Sequence, residues 1–520
     1  MISSDNNRIA KNTLLLFIRM LFVLIINLYT SRVILQSLGV TDYGVYNVVA
    51  GFVSMFGFLN ATLSSSMQRY YNFEYGRSGE EGVQRVYVTG FRVHVVFAIA
   101  LVVLLESFGI WYVNRIMVIP PERLFAANVL FQVSVLSLII LVIQIPYLGI
   151  ILAKERMGVY AAVSVLDVLL RLGIALIIRI VADDRLIVYS YLLALVSVID
   201  FAFYFVFAKK KFKEIKLKGK VDKGLLQSLL SFSGWNLVGT FSFMLKGQGL
   251  NLLLNFFFGP VVNAARGLAF QVSNAVSGFS NNITTAFRPQ IVNSYASHDR
   301  ARSIRLTFIE SKVCFVLIAA LLIPLCLEIK LVLSVWLGES NIPPHTGVFT
   351  CLALVDCLIA ALNAPSTHLV FADGNIKAFQ IGSSIVHLLL IPASYVLLKL
   401  GLSASSVFVI TIVFSIINQT VCVVLGDRIV HFGIHNYMKE VVFPCVVFII
   451  LQPILPYLFT RVMPDGFVRL IVLVLIDVLI SVGLGILLML NKEERKYCMD
   501  YIREYIPRFL RKDKRSERLS

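Results

Sequence analysis

Two cations lie close together in the middle of this 520-residue sequence, within segments that are otherwise apolar. Lys246 precedes Gly259 by thirteen residues, and Arg266 follows it by seven. If Gly259 is the turn between two helices, a rise of about 1.5 Å per residue places the cations roughly 20 and 10 Å from that turn, on adjacent antiparallel helices. A cation facing lipid at the bilayer centre costs about 2.5–3.5 kcal/mol. The pair is therefore expected to line a hydrated cavity, where it would attract an anion.

A stripe of amides and small residues surrounds Arg266. Its members recur at spacings of three and four, which place side chains on one face of a helix. Small residues alone are typical of close helix packing, but this stripe also carries four amides, which indicates the wall of a water-filled cavity. The predicted cavity residues on this face are Asn263, Gln271, Asn274 and Asn281.

Other charges within apolar segments are candidates for ion coupling. Asp167 and Arg171 are four residues apart, so they are expected to pair on one helix face. A structural ion pair is the favoured interpretation, and a coupling site remains the alternative. Asp356 stands alone in LALVDCLIA and is a candidate proton or cation site. The cysteines form no CxxC pair, so neither a disulfide framework nor a metal site is expected.

Composition defines the class of protein that must position these side chains. The chain is 58% hydrophobic, its mean hydropathy is +0.83, and 15% of its residues are charged, against about a quarter in soluble domains. Apolar stretches long enough to cross about 30 Å of hydrocarbon as a helix recur throughout. We predict an all-α polytopic membrane protein with about 14 transmembrane helices, over residues 13–34, 44–66, 90–112, 125–152, 158–180, 186–208, 226–256, 261–286, 306–335, 346–371, 377–398, 405–426, 440–460 and 467–490.

The distribution of basic residues predicts orientation. The net charge is +17, and Lys and Arg concentrate in one alternate set of loops, which includes KKKFKEIKLKGKVDK. Basic loops face the cytoplasm, so both termini are expected there, and the charge is attributed to topology and anionic lipid rather than to nucleic acid. The predicted domains are a six-helix lobe at 1–208, a basic cytoplasmic linker at 209–224, a second six-helix lobe at 225–426, helices 13 and 14 at 427–490, and a basic tail at 491–520.

A repeat with an offset of about 220 residues supports two lobes. Gly39 ends LQSLG after the first span, and Gly259 ends NFFFG after the seventh. Pro146 and Pro365 follow nearly the same offset, and the polar face of span 8 recurs in span 2, where it includes Asn47. Since six spans separate the copies, we expect pseudo-symmetric lobes in the same orientation, with helices 13 and 14 outside the repeat.

Two stretches resemble a known family. LGVTDYGVYNVVAGFVSMFGFLNATLSSSMQRYYNFE resembles the first spans of bacterial polysaccharide flippases of the Wzx type, and FFFGPVVNAARGLAFQVSNAVSGFSNNITTAFRPQIVNSYA is similar to their seventh and eighth spans. These flippases share a superfamily with multidrug MATE exporters and the lipid II flippase. The resemblance implies two lobes around a V-shaped cavity that opens alternately to each side. It also implies a cationic cavity, to which Arg19 would contribute beside Arg266 and Lys246.

The resemblance further implies the transported substrate, an undecaprenyl-diphosphate-linked oligosaccharide. The predicted function is therefore a flippase for an O-antigen, capsule or other surface polysaccharide unit in the bacterial cytoplasmic (inner) membrane. Its expected partners are the lipid-linked glycan, membrane lipids, a coupling cation (H⁺ or Na⁺) and glycan polymerase machinery, with no nucleic acid and no cofactor.

Two alternatives remain beside the flippase. A MATE-like ion-coupled multidrug antiporter would need an acidic cavity for cationic drugs, and Lys246 and Arg266 argue against it. A membrane glycan polymerase or ligase would need a large outer loop with catalytic residues, whereas the outer loops here are short. The sequence contains no catalytic motif, so we do not expect an enzyme.

Overall fold

A computed structural model describes residues 2–154, 156–219, 221–373 and 375–489. Within these ranges, some helical side chains fall outside the description, at 2–21, 58–62, 65, 69, 72, 76, 157, 228–239, 282, 285, 286, 289, 293, 296 and 363–366.

Every regular element in the described residues is helical. The α-helices are α1 (Ile2–Ser54), α2 (Phe58–Leu104), α3 (Ile110–Arg115), α4 (Leu124–Ala153), α5 (Met157–Ile178), α6 (Arg185–Lys211), α7 (Lys223–Phe258), α8 (Pro260–Ala296), α9 (Arg300–Leu327), α10 (Ile329–Leu337), α11 (Thr346–Asp373), α12 (Lys377–Lys399), α13 (Ser405–Val430), α14 (Ile434–Tyr437), α15 (Phe443–Leu451), α16 (Ile454–Val462) and α17 (Phe467–Leu484). Short π-helical turns at Leu105–Gly109, Met438–Val442 and Gly485–Met489 continue three of the helical rods.

The fold is that of an all-helical polytopic membrane protein. Eleven helices in the described residues are long and apolar enough to cross a membrane. The first, Phe22–Gly57, overlaps the predicted segments 13–34 and 44–66, and the predicted segments 226–256 and 261–286 have no counterpart among the eleven. Both of those segments are nevertheless helical, as α7 and α8. The polar residues of α8 lower its mean hydropathy. This accounts for part of the difference between the eleven apolar helices and the fourteen predicted segments.

The two glycines that marked the sequence repeat have the same backbone conformation. Gly39 has φ 79° and ψ 169°, and it divides α1 into two straight parts. Gly259 has φ 74° and ψ −172°, and it separates α7 from α8. A positive φ is strained for any residue with a Cβ, so glycine permits the same sharp change of direction at both places.

The chain divides into two compact units. Unit 1 comprises Met1–Ala275, Val332–Ala353 and Gln380–Asn418. One of its cores lies among α1, α2, α4 and α6, where the hydroxyls of Tyr87 and Tyr147 are hydrogen-bonded at 3.0 Å and Tyr71 donates to the carbonyl of Pro146. Another core of this unit brings Phe349 and Phe408 into a stack with ring centroids 4.4 Å apart.

The basic segment after α6 packs against α2 within unit 1. The helix continues through Lys211 into the predicted linker. Beyond it, Gln84 donates to the carbonyl of Lys218, and Arg92 donates to that of Gly219 at 2.9 Å. The backbone N–H of Asp222 in turn donates to the Thr89 hydroxyl. The segment is therefore held by side chains of α2 that satisfy its backbone groups.

Unit 2 comprises Val276–Leu331, Leu354–Phe379 and Gln419–Ser520. In its described part, α9 packs against α15, α16 and α17. Arg469 of α17 forms a buried ion pair with Glu328 at the end of α9, with Nε 2.6 Å from Oε1. The buried Lys312 of α9 donates to the carbonyl of Met489 at 2.7 Å.

Candidate functional site

The second part of α1 packs against α7 and α8 at unusually short distances. A Cβ built on Gly44 would lie 1.9 Å from the carbonyl oxygen of Pro260, and one built on Gly267 would lie 2.6 Å from Oδ1 of Asn47. Neither position has room for a larger residue. The glycines of the predicted polar faces therefore let these helix backbones approach closely, as small residues do in membrane proteins.

Amide side chains connect the same three helices. Asn263 is fully buried, and its Nδ2 donates to both the carbonyl and Oδ1 of Asn251 at 2.8 Å. Asn251 donates to the carbonyl of Asn47 at 3.1 Å. Gln271 donates to the hydroxyl of Tyr43 at 3.3 Å. The structure thus brings together Asn47, Asn263 and Gln271, which the sequence predicted as cavity residues, in one packed contact between helices.

Two acceptors in this contact remain unsatisfied. Oδ1 of Asn263 and Oε1 of Gln271 are buried and have no hydrogen-bond partner in the described part of the protein. A buried polar atom without a partner carries a desolvation penalty of about 1–3 kcal/mol. Both oxygens therefore retain the capacity to accept a hydrogen bond.

Arg266 is buried beside this contact, with an exposed fraction of 6%. Its Nη2 donates to the carbonyl of Gly247 at 2.5 Å, and its guanidinium lies 4.1 Å from the centre of the Phe270 ring. No carboxylate among the described residues pairs with it. The carbonyl and the ring both stabilise a cation, but neither neutralises it. In the conformation described, Arg266 is covered, and its predicted place in a water-filled cavity stays a prediction.

Lys246 lies one residue before the carbonyl that receives Arg266. Its Nζ is 3.1 Å from the hydroxyl of Ser415 on α13. The ring of His387 on α12 stacks edge to face with Phe243, one turn from Lys246. Arg266 of α8 therefore binds α7 one residue from Lys246, and each of the two predicted cations contacts a neutral polar group.

The remaining predicted cavity residues lie elsewhere. Asn274 and Asn281 are exposed on α8, further from Gly259 than Gln271. The side chain of Arg19 lies outside those the structure describes. The polar stripe of α8 is thus packed near Gly259 and exposed toward its other end.

The predicted pair of Asp167 and Arg171 forms, with Oδ1 and Nε 2.8 Å apart. Asp200 of α6 joins it, since its carboxyl lies within hydrogen-bonding reach of Asp167. Oδ1 of Asp200 is buried and has no hydrogen-bond partner among the described residues. Asp167 therefore pairs with Arg171 and lies against Asp200, which is near the same guanidinium. The sequence placed Asp200 in a span but gave no sign of this contact, because the residue is 33 positions from Asp167.

A cavity of about 340 Å³ adjoins this cluster within unit 1. Arg171 and Asp200 line it, together with Tyr46, Ser54, Ser137 and Gln144. The predicted cavity residues with described side chains are not part of its lining. This cavity is large enough for several waters or a small ion with its ligands.

Asp356, the third predicted coupling residue, belongs to unit 2 and is half-buried on α11. Ser277 and Cys357, near it in the same unit, are 3.1 Å apart. Within the described ranges, no group of three His, Cys, Asp or Glu side chains is placed to hold a metal ion.

An ionic cluster at the start of α4 was not predicted from the sequence. Arg123 donates from Nε and Nη2 to both oxygens of Asp42 at 2.7 Å, and from Nη1 and Nη2 to Asp184 at 2.7 and 2.9 Å. These hydrogen bonds, with those from the backbone N–H groups of Ile187 and Leu186, hold the pKa of Asp184 below its usual range. The cluster ties α1, α4 and α6 together within unit 1.

Comparison with known proteins identifies the fold. No family model and no curated protein matches the sequence. The structure is similar to that of the lipid II flippase MurJ in an inward closed conformation, with a TM-score of 0.71 and 14% identity over 91% of this chain and 98% of that one. It is also similar to an inward-facing multidrug resistance MATE family transporter of the MOP superfamily, with a TM-score of 0.65 and 14% identity over 80% of this chain and 98% of that one.

A third similar structure is a MOP superfamily transporter from Pyrococcus furiosus, described as having a binding pocket of reverse polarity, with a TM-score of 0.54 and 14% identity over 80% of this chain and 95% of that one. The chain therefore shares its fold with these structures, which are described as a flippase and as transporters.

Proposed function

We propose that this protein is a flippase of the Wzx type, which moves an undecaprenyl-diphosphate-linked oligosaccharide across the bacterial cytoplasmic membrane by alternating access. The observation that carries the proposal is Arg266. It is a buried guanidinium inside an apolar helical protein, and no described carboxylate neutralises it. Such a charge is costly unless it serves an anionic ligand. A diphosphate that links a lipid to a glycan is an anion of the required kind.

The fold supports the proposal of a lipid-linked substrate. Among the similar structures, the flippase for lipid II is matched over nearly the whole of both chains. We infer fourteen transmembrane helices arranged as two pseudo-symmetric six-helix lobes followed by two further helices, because all fourteen predicted segments are helical and Gly39 and Gly259 repeat one backbone conformation. Both termini would be cytoplasmic, as the basic loops predict.

The predicted cavity residues would act at different stages. In the conformation described, Asn47, Asn263 and Gln271 hold α1, α7 and α8 together. When these helices separate, the same amides become donors and acceptors for sugar hydroxyls, and Arg266 and Lys246 become accessible to the diphosphate or to acidic sugars. Asn274 and Asn281, which are already exposed, would contact the glycan earlier. Arg19 would add positive charge from the first span.

Ion coupling is assigned to the carboxylates. Asp167 and Asp200 face one another with Arg171 as their common counter-charge, so one proton or one monovalent cation would neutralise the cluster. Asp356 would provide a separate site in unit 2. The adjoining cavity gives the Asp200 carboxyl a route to water.

Complementation tests the proposal. In the native host with its chromosomal copy deleted, the wild-type gene should restore surface polysaccharide, Arg266→Lys should restore part of it, and Arg266→Ala should restore little. Arg461→Ala is the matched control, since this exposed arginine lies on α16, outside the proposed repeat. Full export by the alanine variant would exclude Arg266 from the transport path, and normal polysaccharide in the deletion strain would contradict the flippase assignment.

The second candidate is a MATE-like ion-coupled multidrug antiporter. The cavity that Asp200 lines favours it, because this carboxyl would suit a cationic drug, although Arg171 also lines the cavity. Expression in a drug-sensitive strain distinguishes the two functions. A raised inhibitory concentration for cationic drugs, lost in Asp200→Asn, would favour the antiporter, whereas unchanged sensitivity together with restored polysaccharide would favour the flippase.

A further inference from the structure

Glu310, near the middle of α9, is a buried acid without a partner. Its exposed fraction is 0%. Both carboxyl oxygens are enclosed, and neither has a hydrogen-bond partner in the described part of the protein. The other buried acids described in unit 2 have partners. Glu328 pairs with Arg469, and Asp477 on α17 accepts hydrogen bonds from Gln452 at 3.2 and 3.1 Å.

The surroundings of Glu310 are polar but uncharged. Thr284 of α8 faces the carboxyl, and its hydroxyl is 3.9 Å from the sulfur of Cys314 on α9. Cys314 in turn approaches the carbonyl of Ser280. Among the described residues, Cys314 is the titratable group that faces Glu310. The site is therefore a small enclosed space between α8 and α9.

The nearest basic residues along the two helices are engaged elsewhere. Lys312 is two positions from Glu310 on α9, which places it on another face, and its Nζ binds the carbonyl of Met489. Arg288 lies further along α8 and is exposed. Its positive charge interacts electrostatically with His368. Neither is a counter-ion for Glu310 in this conformation.

An ionised carboxylate needs strong donors or a counter-charge when it leaves water. Among the described residues, Glu310 forms no ion pair, and the Thr284 hydroxyl that faces it makes no hydrogen bond of normal geometry with either oxygen. A neutral carboxyl has a much smaller desolvation cost. We propose that Glu310 is a proton-binding site, which holds its proton while α8 and α9 are packed and releases it when they separate and admit water. The use of this proton to drive transport rests on the proposed flippase function, but the binding of the proton does not.

Infrared difference spectroscopy of the purified full-length protein tests the binding. At neutral pH, the spectrum of Glu310→Gln is subtracted from that of the wild type. The difference should show one protonated carboxyl C=O band, which shifts in D₂O. Asp477→Asn is the control and should leave that band in place. In Glu310→Asp, which keeps the carboxyl, the band should move rather than vanish, so this variant preserves the test if the glutamine variant fails to fold. A spectrum without a protonated band assigned to Glu310 would overturn the proposal.

A disulfide between α8 and α9 tests the release. Thr284→Cys would place a thiol beside the native Cys314, in a background in which the other six cysteines are replaced by serine. With the disulfide formed, the Glu310 band should persist to higher pH than in the reduced protein. Identical titrations of the two forms would overturn the link between packing and release. If the wild-type protein shows the expected Glu310 band but does not restore polysaccharide in the deletion strain, only the transport role of this proton is contradicted.

Discussion

The side-chain amide of Asn251 donates a hydrogen bond to the backbone carbonyl of Asn47, 3.1 Å away, and so joins α7 to the second part of α1. Gly267 of α8 lies against the same asparagine, with no room for a Cβ. The covered guanidinium of Arg266 is one position from this glycine. We therefore expect this contact to open when a ligand reaches Arg266 during the proposed transport.

Locking this contact should stop transport. Cysteines at Asn47 and Gly267 would have side chains in direct contact, because a Cβ at position 267 lies 2.8 Å from Cγ of Asn47. In a background without the native cysteines, oxidation of Asn47→Cys/Gly267→Cys should block polysaccharide export and reduction should restore it. The controls are Asn47→Cys alone and the double variant kept reduced. Undiminished export by the fully oxidised double variant would show that this contact stays closed during transport.

Adding one methyl group at the closest helix approach should destabilise the protein. In Gly44→Ala, the new Cβ would meet the carbonyl of Pro260, and the resulting backbone shift should cost about 1–3 kcal/mol. Gly173→Ala is a matched control in α5, where a Cβ meets nothing within 4 Å. That change should be neutral or stabilise by up to about 1 kcal/mol. Thermal unfolding in detergent measures both effects, and equal melting temperatures for the two variants would refute the packing argument.

The ionic cluster of Arg123, Asp42 and Asp184 should stabilise the protein more with a guanidinium at position 123 than with an ammonium. Arg123→Ala leaves Asp42 and Asp184 facing each other without a counter-charge, and a loss of about 1.5–3 kcal/mol is expected for hydrogen bonds to charged groups. Arg123→Lys should recover only part of this, because an ammonium cannot bind two carboxylates in bidentate fashion. Full recovery by lysine in a thermal unfolding series would contradict the bidentate geometry.

The same cluster predicts a pH dependence. Because the pKa of Asp184 is lower in the folded protein than in the unfolded chain, its stabilising contribution is complete above the unfolded value, about 3.9, and disappears as the pH falls through the folded value. The difference in unfolding temperature between wild type and Asp184→Asn should therefore be constant near neutral pH and shrink below about pH 4. A difference that grows on acidification would reverse the assigned sign.

Asp200 should be required for the response to the coupling ion. The wild-type unfolding temperature should rise with either proton or Na⁺ concentration, whichever ion neutralises the cluster with Asp167 and Arg171. Asp200→Asn removes one of the two carboxyls and should abolish a rise caused by Na⁺ and reduce one caused by protons, because Glu310 would still bind a proton. Asp183→Asn, at an exposed loop position, should preserve the full rise. An unchanged ion response in Asp200→Asn would place the coupling site elsewhere, with Asp356 and Glu310 as the next candidates.

The sequence predicts local features of this fold well. Apolar length predicts helices over all fourteen segments, and a spacing of four predicts the pair of Asp167 and Arg171. Gly39 and Gly259 mark changes of direction because few other residues adopt a positive φ. Each of these features depends on neighbours along the chain.

Features that depend on distant residues could not be predicted. Arg123 is far from both Asp42 and Asp184 in sequence, and Asp200 reaches Asp167 from another helix. Arg266 was expected to face water, whereas the structure covers it with Gly247 and Phe270. A helical stripe shows which residues share a face, but not whether a neighbouring helix or a cavity covers that face. The enclosed state of Glu310 likewise depends on how α8 and α9 pack.

Direct measurement of flipping by the reconstituted protein tests the central claim most closely. The substrate is the undecaprenyl-diphosphate-linked oligosaccharide of the native host, and the readout is the rate at which its glycan becomes accessible to a modifying enzyme outside the vesicles. Wild type should flip this lipid, and Arg266→Ala should be at least about tenfold slower, as expected for a lost charge-assisted hydrogen bond. Arg266→Lys should lie between them, and Arg461→Ala should match wild type. Equal rates for wild type and Arg266→Ala would contradict the assigned role of Arg266, and accessibility no faster than in protein-free vesicles would contradict the flippase itself.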